Sequence, residues 1–101
     1  MTTLYLVPLP FGSPDDVSLR ALRILREVSA VASTDVEAAH IFLALHEISR
    51  AVIPYDTALD ALTNGSVALL ASSSLDAAAQ EIVREAVARS FRVEPLPGAD
   101  A

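Results

Sequence analysis

Loop-forming and polar residues follow each of five short apolar runs in this sequence. After the first run come Pro10, Gly12 and Asp16, which together offer a rigid backbone and one carboxylate. Such a loop suits a reaction in which the protein mainly positions two reactants and excludes water. The residues in the same position after the other four runs are Thr34 and Asp35, Tyr55 and Asp56, Ser72, Ser73, Ser74 and Asp76, and Pro97 and Gly98.

Apolar runs and amphipathic segments alternate along the whole chain. The runs cover residues 4–7, 30–33, 51–54, 67–71 and 91–93, and each is short enough for a strand. The four segments between them have the apolar spacing of helices. This alternation predicts an α/β domain of three layers, with a five-stranded, mostly parallel sheet and helices on both faces. A chain of 101 residues has room for one domain, 1–101, with one core.

Parallel strands bring their carboxyl ends to one edge of a sheet, and ligands of α/β proteins bind there. All five groups of loop residues are therefore expected at that edge, which is the candidate site. Turn chemistry alone explains Pro8, Pro14 and Pro54, because proline is common in turns and at the first position of a helix.

The apolar spacing also predicts which residues of the helices face the sheet. The run 67–71 predicts a central, fully buried strand, and Gly65 is expected to end the third helix in the left-handed conformation. The predicted stripe of the second helix, which should end near Ser49, is Ala38, Ile41, Phe42, Leu45 and Ile48. The stripe of the fourth helix is Ala79, Ile82, Val83, Ala86 and Val87.

Several kinds of site lack support in the sequence. The chain has no cysteine, which excludes thiolate metal sites and fits a reducing cytoplasm. His40 and His46 lie six residues apart on one helix, about 240° around its axis, so they cannot share a metal and are expected at its rim. No glycine-rich nucleotide-binding motif is present. No apolar run approaches the ~20 residues that span a bilayer.

The net charge is −6 and the isoelectric point is about 4.6. An acidic molecule does not attract a polyphosphate backbone through its overall field. The charge therefore weighs against a free-standing RNA-binding domain.

The segment 4–28 resembles the start of the tetrapyrrole methylase family of S-adenosylmethionine-dependent methyltransferases. The shared features are the run Leu4-Tyr5-Leu6-Val7, a Pro10-x-Gly12 loop, Asp16, and a helix containing Arg20-Ala21-Leu22. Within that family, the sequence resembles most the branch that methylates the ribose 2′-oxygen of ribosomal RNA. Two further matches in the same order are Ala32-Ser33-Thr34-Asp35 and Val93-Glu94-Pro95-Leu96-Pro97-Gly98.

This resemblance implies a fold, a cofactor and a set of site residues. The resemblance implies a two-domain protein that holds S-adenosylmethionine between its halves. Residues 1–101 would then be the N-terminal half. Without the C-terminal half, this domain is expected to be inactive alone. Pro10, Gly12, Asp16 and Asp35 would then face the substrate cleft. Ser72, Ser73, Pro97 and Gly98 would contact the cofactor. The implied substrate is ribosomal RNA or a tetrapyrrole-like molecule. The chain is 52% hydrophobic, and a surface meant to pack on the missing half is expected to be covered by that half or by a second copy of the chain.

The chain departs from the family at two loops. The long Gly- and Pro-rich loop of the family is replaced by residues 72–76, which contain neither residue type, and an Arg of the family is replaced by Glu37. Asp35 is retained, but it fits the first turn of a helix equally well. Two hypotheses remain: the N-terminal domain of a methyltransferase, or a non-catalytic interaction or dimerisation module that kept the fold and lost the cofactor loop.

Overall fold

The computed structural model describes residues 2–8, 19–71 and 77–96, where strands and helices alternate as the sequence predicts. The elements are β1 (Thr3–Pro8), α1 (Leu19–Glu27), β2 (Ala30–Ser33), α2 (Val36–Leu45), β3 (Val52–Pro54), a 3-10 turn (Tyr55–Thr57), α3 (Ala58–Leu62), β4 (Val67–Ala71), α4 (Ala77–Ala88) and β5 (Arg92–Pro95).

The five strands form one sheet in the order β3-β2-β4-β1-β5, and every neighbouring pair is parallel. The prediction of an α/β fold with a mostly parallel sheet is therefore confirmed. All five residues of β4 are buried, as its continuous apolar sequence predicts for a central strand.

Helices cover both faces of the sheet. Side chains alternate along a strand, so β4 sends Ala68 and Leu70 to the layer of α1 and α2, while Leu69 and Ala71 join the layer of α3 and α4. We call these layers the α1/α2 face and the α3/α4 face. Each face has its own apolar cluster, so the sheet separates two cores.

The stripe predicted for α2 is only partly correct. Phe42 and Ile48 are buried, but Ile41 and Leu45 leave 58% and 60% of their surface exposed. Leu43 and Ala39 pack inward instead. In α4, Ala79, Ile82 and Ala86 are buried as predicted, whereas Val87 is 60% exposed.

Two helices end at left-handed residues that are not glycine. Glu47 has φ 56° and Ser90 has φ 65°. After α2, the N–H of Ile48 donates to the Leu43 carbonyl at 2.9 Å, and the N–H of Glu47 donates to the Ala44 carbonyl at 3.1 Å. This pair of bonds is a Schellman motif. It ends α2 at Leu45, before the predicted end near Ser49.

Gly65 does not have the predicted left-handed conformation, since its φ lies outside that region. Its role is instead to allow a close approach between two segments. A Cβ on Gly65 would collide with the Ser29 hydroxyl and would lie 3.0 Å from the Ser29 Cβ. The neighbouring Ser66 carbonyl accepts a bond from the Ser29 N–H at 2.9 Å, which holds the two segments together.

Within residues 2–8, 19–71 and 77–96, no helix has the length and apolar character needed to span a membrane. The same ranges contain no cluster of three side chains able to hold a metal ion. His40 is exposed, and the half-buried His46 ring lies 4.9 Å from the Phe42 ring, measured between centroids.

Candidate functional site at the carboxyl edge of the sheet

The carboxyl ends of four strands lie level with one another. Pro8 of β1 is paired with Ala71 of β4, and Ser33 of β2 lies opposite Leu70 of β4 and Pro54 of β3. The fifth strand, β5, continues along β1 through a bond from the Leu96 N–H to the Leu6 carbonyl at 2.9 Å. All five connections therefore leave the sheet at the same edge.

At β4, the helices that follow neighbouring strands lie on opposite faces of the sheet. β1 and β2 flank β4, and both lead into helices on the α1/α2 face. β4 itself leads into α4 on the opposite face. A crevice at such a switch in direction is the usual ligand site of open α/β sheets.

Asp35 and Ser33 shape the connection from β2 to α2. Asp35 is the N-cap of α2, and its Oδ1 accepts a hydrogen bond from the Ala38 N–H at 3.0 Å. Asp35 thus precedes the first turn of α2 as its cap, close to the first-turn position that the sequence indicates. Ser33 is 2% exposed, and its hydroxyl accepts a bond from the Asp35 N–H at 3.0 Å.

Ser33 is a site-shaping residue that sequence reasoning missed. Its hydroxyl also donates to the Asp35 carbonyl at 2.9 Å, so it fixes both backbone groups of the capping residue. The available signal was a small polar residue at the end of a strand, two positions before a helix cap. Asp35 is exposed, and its second carboxylate oxygen has no hydrogen bond to any described residue.

Most of the predicted site residues lie outside the described residues. This applies to Pro10, Gly12, Asp16, Ser72, Ser73, Pro97 and Gly98. Of the predicted cleft residues, Asp35 is described and lies at the carboxyl edge. Tyr55 and Asp56 are also described, and they follow β3 at the outer side of the sheet.

An open groove of about 320 Å³ lies between α4 and β1 on the α3/α4 face. Leu6 and Val83 give it an apolar floor, and Gln80 and Arg84 add polar groups. Its volume is at the lower end of the range for small-molecule sites.

The family model for tetrapyrrole (corrin/porphyrin) methylases matches residues 3–101, from the first strand to the end of the chain. The chain belongs to the tetrapyrrole methylase family. Membership confirms the resemblance that the segments 4–28 and 93–98 indicate.

Curated relatives in this family are named ribosomal RNA small subunit methyltransferase I. The protein of Micromonospora olivasterospora is 34% identical over 112 residues, which cover 98% of this chain and 36% of that protein. The protein of Pseudomonas aeruginosa is 34% identical over 119 residues, covering 98% of this chain and 40% of that protein. The Bacillus subtilis protein is 30% identical over 114 residues, covering 100% and 39%. This chain thus spans about two fifths of the length of these relatives.

The relatives carry additional residues within the matched region. The match to the Bacillus subtilis protein extends over 114 positions, whereas the whole chain has 101 residues. In this tetrapyrrole methylase chain, the connection from β4 to α4 is short and contains only residues 72–76.

A solved structure supports the fold. The crystal structure of uroporphyrin-III-C-methyltransferase from Thermus thermophilus matches with a TM-score of 0.68 and 24% identity. The match covers 96% of this chain and 47% of that chain. At this identity the likeness concerns the fold alone.

The capping role of Asp35 can be separated from its charge. Asp35→Ala removes the bond to the Ala38 N–H, so we expect the free energy of unfolding to fall by about 1 kcal/mol. Asp35→Asn keeps an acceptor oxygen and should stay within a few tenths of a kcal/mol of the natural chain. Urea unfolding followed by far-UV circular dichroism measures both variants. Equal stability of Asp35→Ala and the natural chain would contradict the capping role.

Proposed function

We propose that this chain is the N-terminal domain of an S-adenosylmethionine-dependent methyltransferase that acts on small-subunit ribosomal RNA. The observation that carries the proposal is the match of nearly the whole chain to relatives named for that reaction, with identities of 30–34%. The parallel sheet with a switch in chain direction at β4 supports it, because this topology forms a ligand crevice.

The chemistry of the residues at the carboxyl edge fits S-adenosylmethionine. Residues 72–76 follow β4 directly and carry three hydroxyls and the Asp76 carboxylate, groups that accept hydrogen bonds from ribose and amino groups. Ser72 and Ser73 would hold the cofactor from one side, and Pro97 and Gly98 from the end of β5. The cofactor supplies a methyl group already activated by a positively charged sulfur.

The residues after β1 and β2 are the proposed substrate side of the cleft. Pro10 and Gly12 would fix the loop backbone, and Asp16 and Asp35 would bring carboxylates to the acceptor. One oxygen of Asp35 caps α2, which leaves the exposed second oxygen to accept a hydrogen bond from a ribose hydroxyl. The chain's part in the reaction is to orient that hydroxyl and to exclude water from the crevice.

A chimera tests whether the chain supplies half of such a site. In the chimera, this chain replaces the matched region of the Micromonospora olivasterospora relative. We expect it to transfer labelled methyl groups from S-adenosylmethionine to small ribosomal subunits. The chain alone should show no transfer, because half a cleft does not enclose a cofactor.

The controls for the chimera are the intact relative and the relative without its matched region. Ser73→Phe in the chimera fills the proposed cofactor side, so we expect at least a tenfold loss of activity. Ser49→Phe places the same bulk before β3, at the opposite edge of the sheet, and should leave activity within about twofold. A folded chimera without activity, beside an active intact relative, would contradict the proposal.

One observation favours a second function, a non-catalytic dimerisation module. α2 has a single carboxylate, Glu37, and no arginine or lysine, and it exposes Ile41 and Leu45 one helical turn apart. Large apolar side chains that are exposed next to one another mark a surface for association. We propose a second copy as the cover, with two α2 helices antiparallel, so that Ile41 contacts the partner's Leu45. Glu37 and the partner's Arg50 then come to the same end of the pair.

Sedimentation velocity tests this homodimer. We expect the natural chain to sediment as a dimer and the double variant Ile41→Glu with Leu45→Glu to sediment as a monomer, since buried like charges oppose association. Val87→Glu is the matched control, because Val87 is equally exposed on the opposite face and should leave the dimer intact. A natural chain that is monomeric at about 100 μM, above the range of stable dimers, would contradict this arrangement.

A further inference from the structure

Three exposed arginines lie along the outer side of α1. Arg20, Arg23 and Arg26 are spaced by three residues, and the row they form is about 9 Å long. The opposite side of α1 is buried through Ala21, Ile24 and Leu25. We call these three arginines the α1 arginine row.

The two ends of the row are held by other elements. The Nη2 of Arg20 lies 3.0 Å from Oε1 of Glu94 in β5. The Nη2 of Arg26 donates to the His46 carbonyl at 3.4 Å, and Arg50 donates to the Arg26 carbonyl. The guanidinium of Arg23, in the middle of the row, has no hydrogen bond or ion pair to any described residue. The helix is thus fixed at both ends, with an available guanidinium between them.

The direction of α1 relates the row to the candidate site. α1 follows β1 and returns along the sheet, so Leu19 is near the carboxyl edge and Glu27 is at the opposite edge. A polymer that extends from the crevice over α1 would therefore meet Arg20, Arg23 and Arg26 in turn.

The charge of α1 contrasts with that of the other face. α1 has three arginines and one acid, Glu27, although the whole chain has a net charge of −6. On the α3/α4 face, the two helices carry three exposed acids, Asp60, Glu81 and Glu85, and a single arginine, Arg84. A polyanion is attracted to the first surface and repelled by the second, and this difference sets its orientation.

From the spacing, exposure and charge contrast, we infer that the α1 arginine row binds the phosphodiester backbone of the RNA substrate beside the nucleotide that enters the crevice. This inference rests on the proposed function, because it takes RNA as the substrate. Arginine suits the contact, since its planar fork donates two parallel hydrogen bonds to one phosphate. Backbone contacts of this kind position the RNA without reading its sequence.

The test compares Arg23→Ala with Arg84→Ala in the chimera described above. Both residues are exposed arginines, but they lie on opposite faces. The probe is a fluorescein-labelled single-stranded RNA of about 20 nucleotides and mixed sequence, and fluorescence anisotropy measures its affinity. We expect Arg23→Ala to weaken binding several-fold at 50 mM salt. The log–log slope of affinity against salt should fall by about 0.7, the value for one lost phosphate contact on a single strand.

Arg84→Ala should leave affinity and slope within error of the parent chimera. Equal effects of the two variants, no effect of Arg23→Ala, or no binding of RNA by the parent would overturn the inference. Stronger competition by polyglutamate than by unlabelled RNA would also overturn it, because the row would then fit an acidic protein.

Methyl transfer separates this inference from the proposed function. A chimera that methylates ribosomal RNA but binds RNA equally well with Arg23→Ala retains the proposed function and contradicts the role of the row. A chimera that lacks activity but loses RNA affinity with Arg23→Ala supports the role of the row and contradicts the proposed function. Far-UV circular dichroism shows that each variant is folded before binding is compared.

Discussion

The burial of β4 is the constraint on which the rest of this structure depends. β4 lies between β2 and β1, and it contributes five buried side chains to the two apolar clusters, more than any other described strand. Because all five of its residues are buried, its register with both neighbours is strongly specified. The levels of Pro8, Ser33 and Ala71 follow from that register.

Stabilising and chemical roles are separated at the carboxyl edge. Ser33 and one oxygen of Asp35 are used to begin α2 and to fix the backbone between β2 and that helix. The residues proposed to contact a cofactor come from the connections after β4 and β5. A fixed strand edge with variable connections is how parallel α/β folds support many activities, which is why the proposed function assigns the cofactor contacts to connections such as 72–76.

The alternation of strands and helices could be predicted because each apolar run is short and the segments between the runs have the apolar spacing of helices. The inward face of α2 could not, since Val36, Ala39, Ile41, Phe42 and Leu45 spread apolar side chains over most of that helix, and only the packed structure selects one side. The way in which the helices end could not be predicted from the sequence either. The left-handed residues are Glu47 and Ser90, whereas Gly65 serves a close approach to Ser29. The strand order depends on which long-range contacts are made, and local periodicity contains no information on that.

The position of the candidate site could be predicted from the sequence better than the residues that form it. Parallel strands require all five connections to leave from one edge, which the register confirms. Asp35 was assigned to the cleft by resemblance and to a helix start by its spacing, and the structure shows the second role directly. The role of the buried Ser33 hydroxyl was missed because its signal, a small polar residue two positions before a helix cap, is weak without the packed structure.

The central claim is that this chain forms one side of an S-adenosylmethionine site at the carboxyl edge. Titration of the isotope-labelled chain with S-adenosylhomocysteine, up to millimolar concentration, tests it most directly, because backbone amide NMR signals detect even weak binding and locate it. We predict shifts confined to the amides of Val7, Ser33, Asp35, Ala71 and their connections, with none at Ser29, Ser66 or Ser90 on the opposite edge. Shifts at the opposite edge, or no shifts in a folded chain, would contradict the claim.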